Sequence, residues 1–254
     1  MQAPSIVWFR QDLRVEDQPA LNAAIEKGGP IIPLFIWAPD EEKEWEPGAA
    51  SRWWLHGALS RLQKKLKELG LDLIFRQQPT VQAILEITKE TGADALFANQ
   101  RYEPDAVKQE HLIKAELKKN HIQVHFFNGS LLFDPWEILN KQQKPYQVFT
   151  HFWKFCTAFC ECQPSILTPK SVFTYTGSIR SDLLEQLNLL PVIRWDQGLY
   201  NRWQPNTLNS CDFLQKAIDS TIIHYNQTRD LLAEEGTSSL SPYLHYGEIS
   251  PRMI

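Results

Sequence analysis

The sequence predicts an α/β fold: a five-stranded parallel Rossmann-like sheet with flanking helices, followed by a long connector and the start of a helical layer. Three observations lead there. Short apolar runs alternate with longer amphipathic stretches from residue 5 to residue 127, the pattern of βαβ units. The runs are apolar throughout rather than at every second position, so their strands are buried on both faces. Prolines and scattered aromatic residues then replace any sustained period until helical spacing returns near Thr207.

Residues 5–9 form the first strand, and 17–27 a helix with Asp17 as N-cap, Pro19 in the first turn, and Ala20, Leu21, Ala24 and Ile25 on one side. Residues 31–37 read as a fully buried strand. The helix over 49–69 sets Trp54, Leu55, Ala58, Leu59, Leu62 and Leu66 at helical spacing and ends before Gly70. Strand 71–76, helix 80–91 behind Pro79, strand 94–98, helix 104–119 behind Pro104 and strand 122–127 complete the sheet. The connector carries helical pieces near 135–141, 149–160 and 179–187. Beyond Thr207, Phe213, Leu214, Ala217 and Ile218 share a stripe that Thr221, Ile222 and Tyr225 continue. An acidic turn at Glu234-Glu235-Gly236 precedes a Thr/Ser loop, a short helix from Pro242 and a last helix start at Ser250-Pro251. The chain thus divides into an α/β domain over 1–128, a connector over 129–204 and a helical domain beginning at 205.

With 254 residues and 43% hydrophobic content the chain can bury a sizeable core. The first 128 residues carry 16 Lys+Arg against 18 Asp+Glu and the rest 10 against 12, so neither half is basic in bulk and nucleic-acid binding needs a local patch. No basic leader or spanning apolar stretch is present, which makes a cytoplasmic location without membrane association the default. Cysteines 156, 160, 162 and 211 lack paired CxxC spacing, so free thiols are expected and no metal site. His151 and His245 have no ligand-spaced partners. No Ser-His-Asp arrangement, HExxH pair, Walker loop or catalytic cysteine setting occurs, and no residue here is a catalytic candidate.

Three constellations remain. Arg10-Gln11-Asp12-Leu13-Arg14 with Asp17 lies past the C-terminal end of the first strand, where open α/β sheets keep ligands, but lacks a Gly-x-Gly-x-x-Gly turn. Its alternative reading is that Arg10 and Arg14 pair with Asp12 and Asp17 to pin the loop. The same edge collects Phe35, Ile36, Trp37, Arg52, Asn99 and Glu103, either a wall for a planar ring or core and rim. Thr237, Ser238, Ser239 and Ser241 offer more hydroxyls than one N-cap needs, and suit either an anion or a capped loop, with Tyr225 and Arg229 twelve and eight residues ahead.

Together these stretches resemble the photolyase/cryptochrome family. Val7-Trp8-Phe9-Arg10-x-Asp12-Leu13-Arg14-x-x-Asp17 is similar to its opening, Tyr146-x-Val148-Phe149-Thr150-x-Phe152-Trp153-Lys154 to its connector signature, and Gly236-Thr237-Ser238-x-Leu240-Ser241-Pro242-Tyr243-Leu244-His245-Tyr246-Gly247-x-x-Ser250 to the start of its flavin domain. The resemblance covers the whole chain, which spans only about the first half of a typical member. It is strongest toward class I enzymes acting on cyclobutane pyrimidine dimers.

The resemblance implies FAD in the helical domain, with Tyr225 and Thr237, Ser238, Ser239, Leu240 and Ser241 as cofactor contacts, the loop around the phosphates. It implies that the α/β crevice either holds a second antenna chromophore of deazaflavin or folate type, or another planar ring, or stays empty; Asp105-Ala106 departs from the Asn-Glu pair of folate-binding members, which takes support from folate. It places Arg229 on the side facing UV-damaged DNA. The implied activity of the full-length parent, a monomer, is light-dependent repair by electron transfer from reduced FAD to a flipped-out dimer. The 254-residue piece alone is expected to bind FAD weakly or not at all and to be inactive. Alternatives are a cryptochrome-like blue-light receptor and a non-catalytic α/β module for a planar ligand or a protein.

Overall fold

Five parallel strands, Ser5–Phe9 (β1), Ile31–Ile36 (β2), Ile74–Arg76 (β3), Ala95–Asn99 (β4) and Gln123–Phe127 (β5), lie side by side in the order β3-β2-β1-β4-β5. They were obtained as a computed structural model that describes residues 2–159, 161, 163–169, 171–203, 210–234 and 236–254. Cys160, Cys162 and Glu235, and the predicted boundary at 204–205, lie outside the described residues. β1 is central, with Ser5 opposite Ile31 on one side and Ala95 on the other. Its five residues are all buried, as the unbroken apolar runs require. Chain direction away from β1 reverses between β2 and β4, so the crevice of the sheet opens at the C-terminal ends of β1 and β4.

Helices Pro19–Lys27 (α1), Ala49–Glu68 (α2), Thr80–Thr91 (α3) and Pro104–Lys119 (α4) make the crossovers. Val7, Phe9 and Phe35 face α1 and α2 in one core. Ile6, Trp8 and Leu34 face Ile84 of α3 and Ile113 of α4 in the other. The first core runs on into the helical layer through Leu214, Tyr243 and Ile249. That layer comprises Gln197–Trp203 (α6), Ser210–Lys216 (α7), Ile222–Thr228 (α8) and Ser241–His245 (α9), with Phe149–Phe159 (α5) in the connector before it.

Several elements differ from expectation, each for a local reason. α1 begins at Pro19, and Asp17 is not its cap: Asp17 sits at φ 46 and its carboxylate accepts from the Ile166 amide at 2.9 Å, from Arg252 at 3.0 Å and from the Ser250 hydroxyl. Residues 135–141 form a turn closed by a Leu139–Pro145 bridge rather than a helix. Of 179–187 only Leu184–Leu187 is helical, in a 3₁₀ turn, because the preceding stretch runs along β3: the Phe75 amide donates to Ser181 Oγ at 3.0 Å and the Asp182 amide to the Phe75 carbonyl at 3.0 Å. The connector thereby covers one open edge of the sheet. A π-helical turn over Ala217–Thr221 separates α7 from α8. Its longer repeat rotates the expected stripe, so Leu214 and Ala217 are buried while Ile218, Ile222 and Tyr225 are exposed. A 3₁₀ turn over Pro39–Trp45 and helix α6 were not anticipated.

Candidate functional site

The loop after β1 is a clasp of buried polar groups. Arg14 has no exposed surface, and its guanidinium donates to three backbone carbonyls, those of Asp17 (2.8 and 3.1 Å), Gly247 (2.9 Å) and Gly129. Arg10 stacks over Trp8 at 4.5 Å and pairs with Glu110 of α4 at 2.6 Å, while also donating to the Asn99 carbonyl. Burial pulls the pKa of both guanidinium groups down, opposed at Arg10 by Glu110 and at Arg14 by Asp12 and Asp17. The expected Arg10 and Arg14 pairing with Asp12 and Asp17 side chains is therefore replaced: Asp12 accepts from the Arg10 amide (2.6 Å), Gln18 (3.0 Å) and the Asn99 amide (2.7 Å). The loop is pinned, as that reading held, but by other partners.

Beside the clasp the crevice has two lobes that share Arg10, Gln11 and Arg101 as a common wall. Phe35, Ile36 and Trp37 line the narrower, with about 80 Å³ of open space, closed by Arg101 bridging to Glu42 at 2.5 Å. Asn99 and Glu103 line the wider, about 400 Å³, with Tyr102, Leu244 and His245. Only the second reaches the roughly 300 Å³ at which ligand pockets begin, so a tricyclic ring stacked on Trp37 in the first needs Arg101 to swing off Glu42. Arg52 lines neither lobe; it is committed to Glu46 and to the Pro47 carbonyl at 2.8 Å. Phe35 also packs edge-on against Phe75 at 6.3 Å, as a core residue does. Among the described residues the Tyr102 hydroxyl and Asn99 Oδ1 have no hydrogen-bond partner, and burial raises the Tyr102 pKa well above the ordinary phenol value.

α9 joins this crevice to the hydroxyl loop. Tyr246, just past its C-terminal end, walls the narrow lobe, and its hydroxyl donates to the Ser51 carbonyl at 2.7 Å. Glu248 accepts from Arg61 of α2 (2.6 and 2.9 Å) and from Trp54 Nε1 (3.0 Å). Trp54 meets Tyr243 and Trp203 edge-on at 5.0 and 5.1 Å, so it rivets α2 to the helical layer. At the other end of α9, Leu240 is buried and no side chain caps the helix. The hydroxyls of Thr237, Ser238, Ser239 and Ser241 have no hydrogen-bond partner among the described residues and reach solvent, which disposes of the capped-loop reading. Gly236 packs directly on the Thr228 carbonyl at the end of α8, bringing the loop to within a turn of Tyr225. Tyr225 is exposed, with Arg229 over its ring at 5.7 Å and Asp230 3.4 Å from Arg229.

Glu110 and Glu248 were missed by the motif reading. Glu110 carried a signal: it occupies an apolar stripe position of α4, with Ala106, Ile113 and Leu117. Among the described residues no three His, Cys, Asp or Glu side chains are placed to hold a metal, and no helix is long and apolar enough to cross a membrane.

A doubly wound sheet whose first loop is locked by buried arginine to a helical layer, with a hydroxyl loop beyond, defines a two-layer protein, α/β and helical. The chain belongs to the DNA photolyase family, whose family model matches residues 5–170. It is 36% identical over 259 residues to Cryptochrome-1 of Arabidopsis thaliana, covering 98% of this chain and 37% of that protein. It superposes with a TM-score of 0.93 on a class III photolyase from Agrobacterium tumefaciens, at 35% identity, over 100% of this chain and 52% of that one. An archaeal photolyase from Sulfolobus tokodaii, solved with two FAD molecules, shares the fold at a TM-score of 0.73 and 21% identity. The chain spans about half or less of the length of these relatives.

Proposed function

We propose that this chain forms the α/β domain (1–128), connector (129–204) and first helical part (205–254) of a light-dependent deoxyribodipyrimidine photolyase that repairs cyclobutane pyrimidine dimers in UV-damaged DNA. The observation that carries the reading is the loop Thr237–Ser241, whose hydroxyls serve no internal cap. Free hydroxyls at one loop are a seat for phosphate oxygens, and they fit the diphosphate of FAD. When bound, FAD supplies the light-driven redox chemistry. The chain's own residues bind and orient: Thr237, Ser238, Ser239 and Ser241 hold the phosphates, Leu240 anchors the loop in the core, Tyr225 flanks it, and Arg229 offers a cation to DNA phosphate. Glu248, Arg61 and Trp54 fix that loop against the α/β layer.

The seat is for the diphosphate alone, so FAD and ADP are expected to bind the 254-residue chain equally and weakly. Calorimetric titration measures both. Thr237→Ala with Ser238→Ala should weaken each about 10- to 100-fold, the loss of one or two hydrogen bonds to a charged group. Absence of ADP binding, or indifference to the double substitution, sinks the assignment. Nanomolar FAD with weak ADP would place the ring seat within this chain as well.

The crevice is assigned to a second, planar chromophore of deazaflavin or folate type, with Trp37, Asn99 and Glu103 nearest to it. FMN is the probe. Its fluorescence should be quenched on stacking at Trp37, and Trp37→Ala should abolish the quenching while leaving ADP binding intact. Quenching that survives Trp37→Ala removes the assignment. A cryptochrome-like photoreceptor is the second reading, favoured by the 36% identity to the Arabidopsis protein. Light-dependent dimer splitting by the whole protein separates the two.

A further inference from the structure

The two edges of the sheet are finished differently. At β3 the connector lies along the strand, with Ser181 and Asp182 bonded to the Phe75 main chain. At the other edge, β5 has β4 on one side and no strand on the other among the described residues. The Gln123 amide donates to the Asp94 carbonyl at 2.8 Å and the Phe127 carbonyl accepts from the Gln100 amide at 2.7 Å, so the odd-numbered residues of β5 spend their main-chain groups on β4. Those of Val124 and Phe126 therefore point outward. Natural edges are blunted by lysine or proline on the strand, by a bulge or by a covering segment. β5 reads Gln-Val-His-Phe-Phe and keeps an unbroken register with Ala95–Asn99, so among the described residues it has none of these devices.

Positive charge flanks the bare edge. Beside it runs a groove of about 550 Å³ whose ionisable lining is Lys114 and Lys118 of α4, His121 of the following turn and His125 of β5, with no carboxylate. The two lysines stand one turn apart on one face of α4. Neither is in an ion pair among the described residues, and Lys114 Nζ lies 4.8 Å over the Phe126 ring instead. The chain as a whole carries a net charge of -4, so this cationic strip is local.

We propose that the β5 edge is a docking site for an acidic segment of another protein, which adds as a further strand outside β5. Main-chain bonds to Val124 and Phe126 give the affinity. Alternate side chains of the incoming strand fall on the α4 face, where carboxylates meet Lys114 and Lys118. A second copy of this chain is the wrong occupant. Antiparallel pairing of β5 with its own copy about a two-fold axis sets the two α4 helices side by side, and their lysines repel.

The probe is the peptide Thr-Glu-Val-Glu-Val-Glu-Thr, labelled for fluorescence anisotropy and titrated with the 254-residue chain. Binding is expected, and it should fade between about 0.1 M and about 1 M salt, as the screening length falls from about 10 Å to about 3 Å. The counterpart with lysine for glutamate should not bind. Lys114→Glu with Lys118→Glu should weaken the acidic peptide at least about tenfold and leave the thermal melt unchanged, since both side chains are exposed. Val124→Pro removes an outward N–H at an edge position that tolerates proline, and should abolish binding. Hydrogen exchange separates strand addition from charge attraction alone. The Val124 and Phe126 amides should slow at least about tenfold on binding, while those of Gln123 and His125, already turned to β4, stay as they were. No binding, binding indifferent to the lysine substitutions, or binding without protection at Val124 and Phe126 would each overturn the proposal. So would self-association of the chain that Val124→Pro removes, by making a second copy the occupant. Single-stranded DNA that displaces the peptide and depends on the same lysines, with no protection of the two amides, would make the strip a phosphate site instead. Neither flavin nor ADP enters the measurement, so its failure and failure of ADP binding are separate results.

Discussion

Replacing Arg14 with methionine should lower the unfolding free energy by about 3–5 kcal/mol, the range for breaking a buried charged network by removing one partner. The guanidinium is wholly buried, yet it meets backbone carbonyls rather than a carboxylate, at Asp17, Gly129 and Gly247. Those three carbonyls come from the loop after β1, the start of the connector and the segment after α9, so one side chain ties three parts of the chain. Methionine fills much of the volume but donates nothing, and each orphaned buried acceptor costs about 1–3 kcal/mol. Partial relief comes from no longer desolvating a charge, which is why the sum stays below the upper limit. For a chain of this size the melting temperature should fall by about 10 °C. Urea unfolding gives the energy directly. A cost below about 1 kcal/mol would mean the three segments hold together without the clasp. Lysine at 14 should recover only part, because one ammonium cannot span three carbonyls in fixed directions.

The same clasp marks where sequence reasoning stops. α3 was legible at both ends, since Pro79 precedes it and Gly92 ends it in a left-handed conformation at φ 70. α4 was legible from Pro104 in its first turn. Both helices are specified by their neighbours in sequence. Asp17 satisfied every local rule for an N-cap, yet Ser250, Arg252 and the Ile166 amide, each more than a hundred residues away, claim its carboxylate. Arg10 was visible as a sheet-edge arginine, but its partner Glu110 lies 100 residues on. The stretch Pro39–Trp45 has no apolar period to read, and its 3₁₀ turn is set by tertiary bonds such as Glu41 to the Thr80 amide at 2.9 Å. For the candidate site, residue types and the sheet edge were legible. Which of them share a lobe was not: Arg52 stands three residues before Leu55, which lines the narrow lobe, yet lies outside the crevice in space.

Gly247→Ala carries the second large effect, an expected loss of about 3 kcal/mol. The residue sits at φ +64, where a side chain costs about 1 kcal/mol or more, and a Cβ there would lie 2.8 Å from the Gln11 carbonyl carbon and overlap its oxygen. Backbone cannot rotate aside as a flexible side-chain tip can. The segment after α9 must back away from the β1 loop, and with it go the Arg14 bond to the Gly247 carbonyl and the Leu13 amide bond to Tyr246 at 3.0 Å. Hydrogen exchange at the Leu13 amide reads that step locally, and it should lose protection even below the melting transition. Gly198→Ala in α6 is the control, since nothing lies within 4 Å of its added methyl and a helical Gly→Ala change stabilises by about 0.5–1 kcal/mol. Because Tyr246 walls the crevice at one end of α9 and the hydroxyl loop leads into the other, displacing Gly247 should weaken FMN and ADP binding together. Loss of one without the other would show that α9 does not move as a unit.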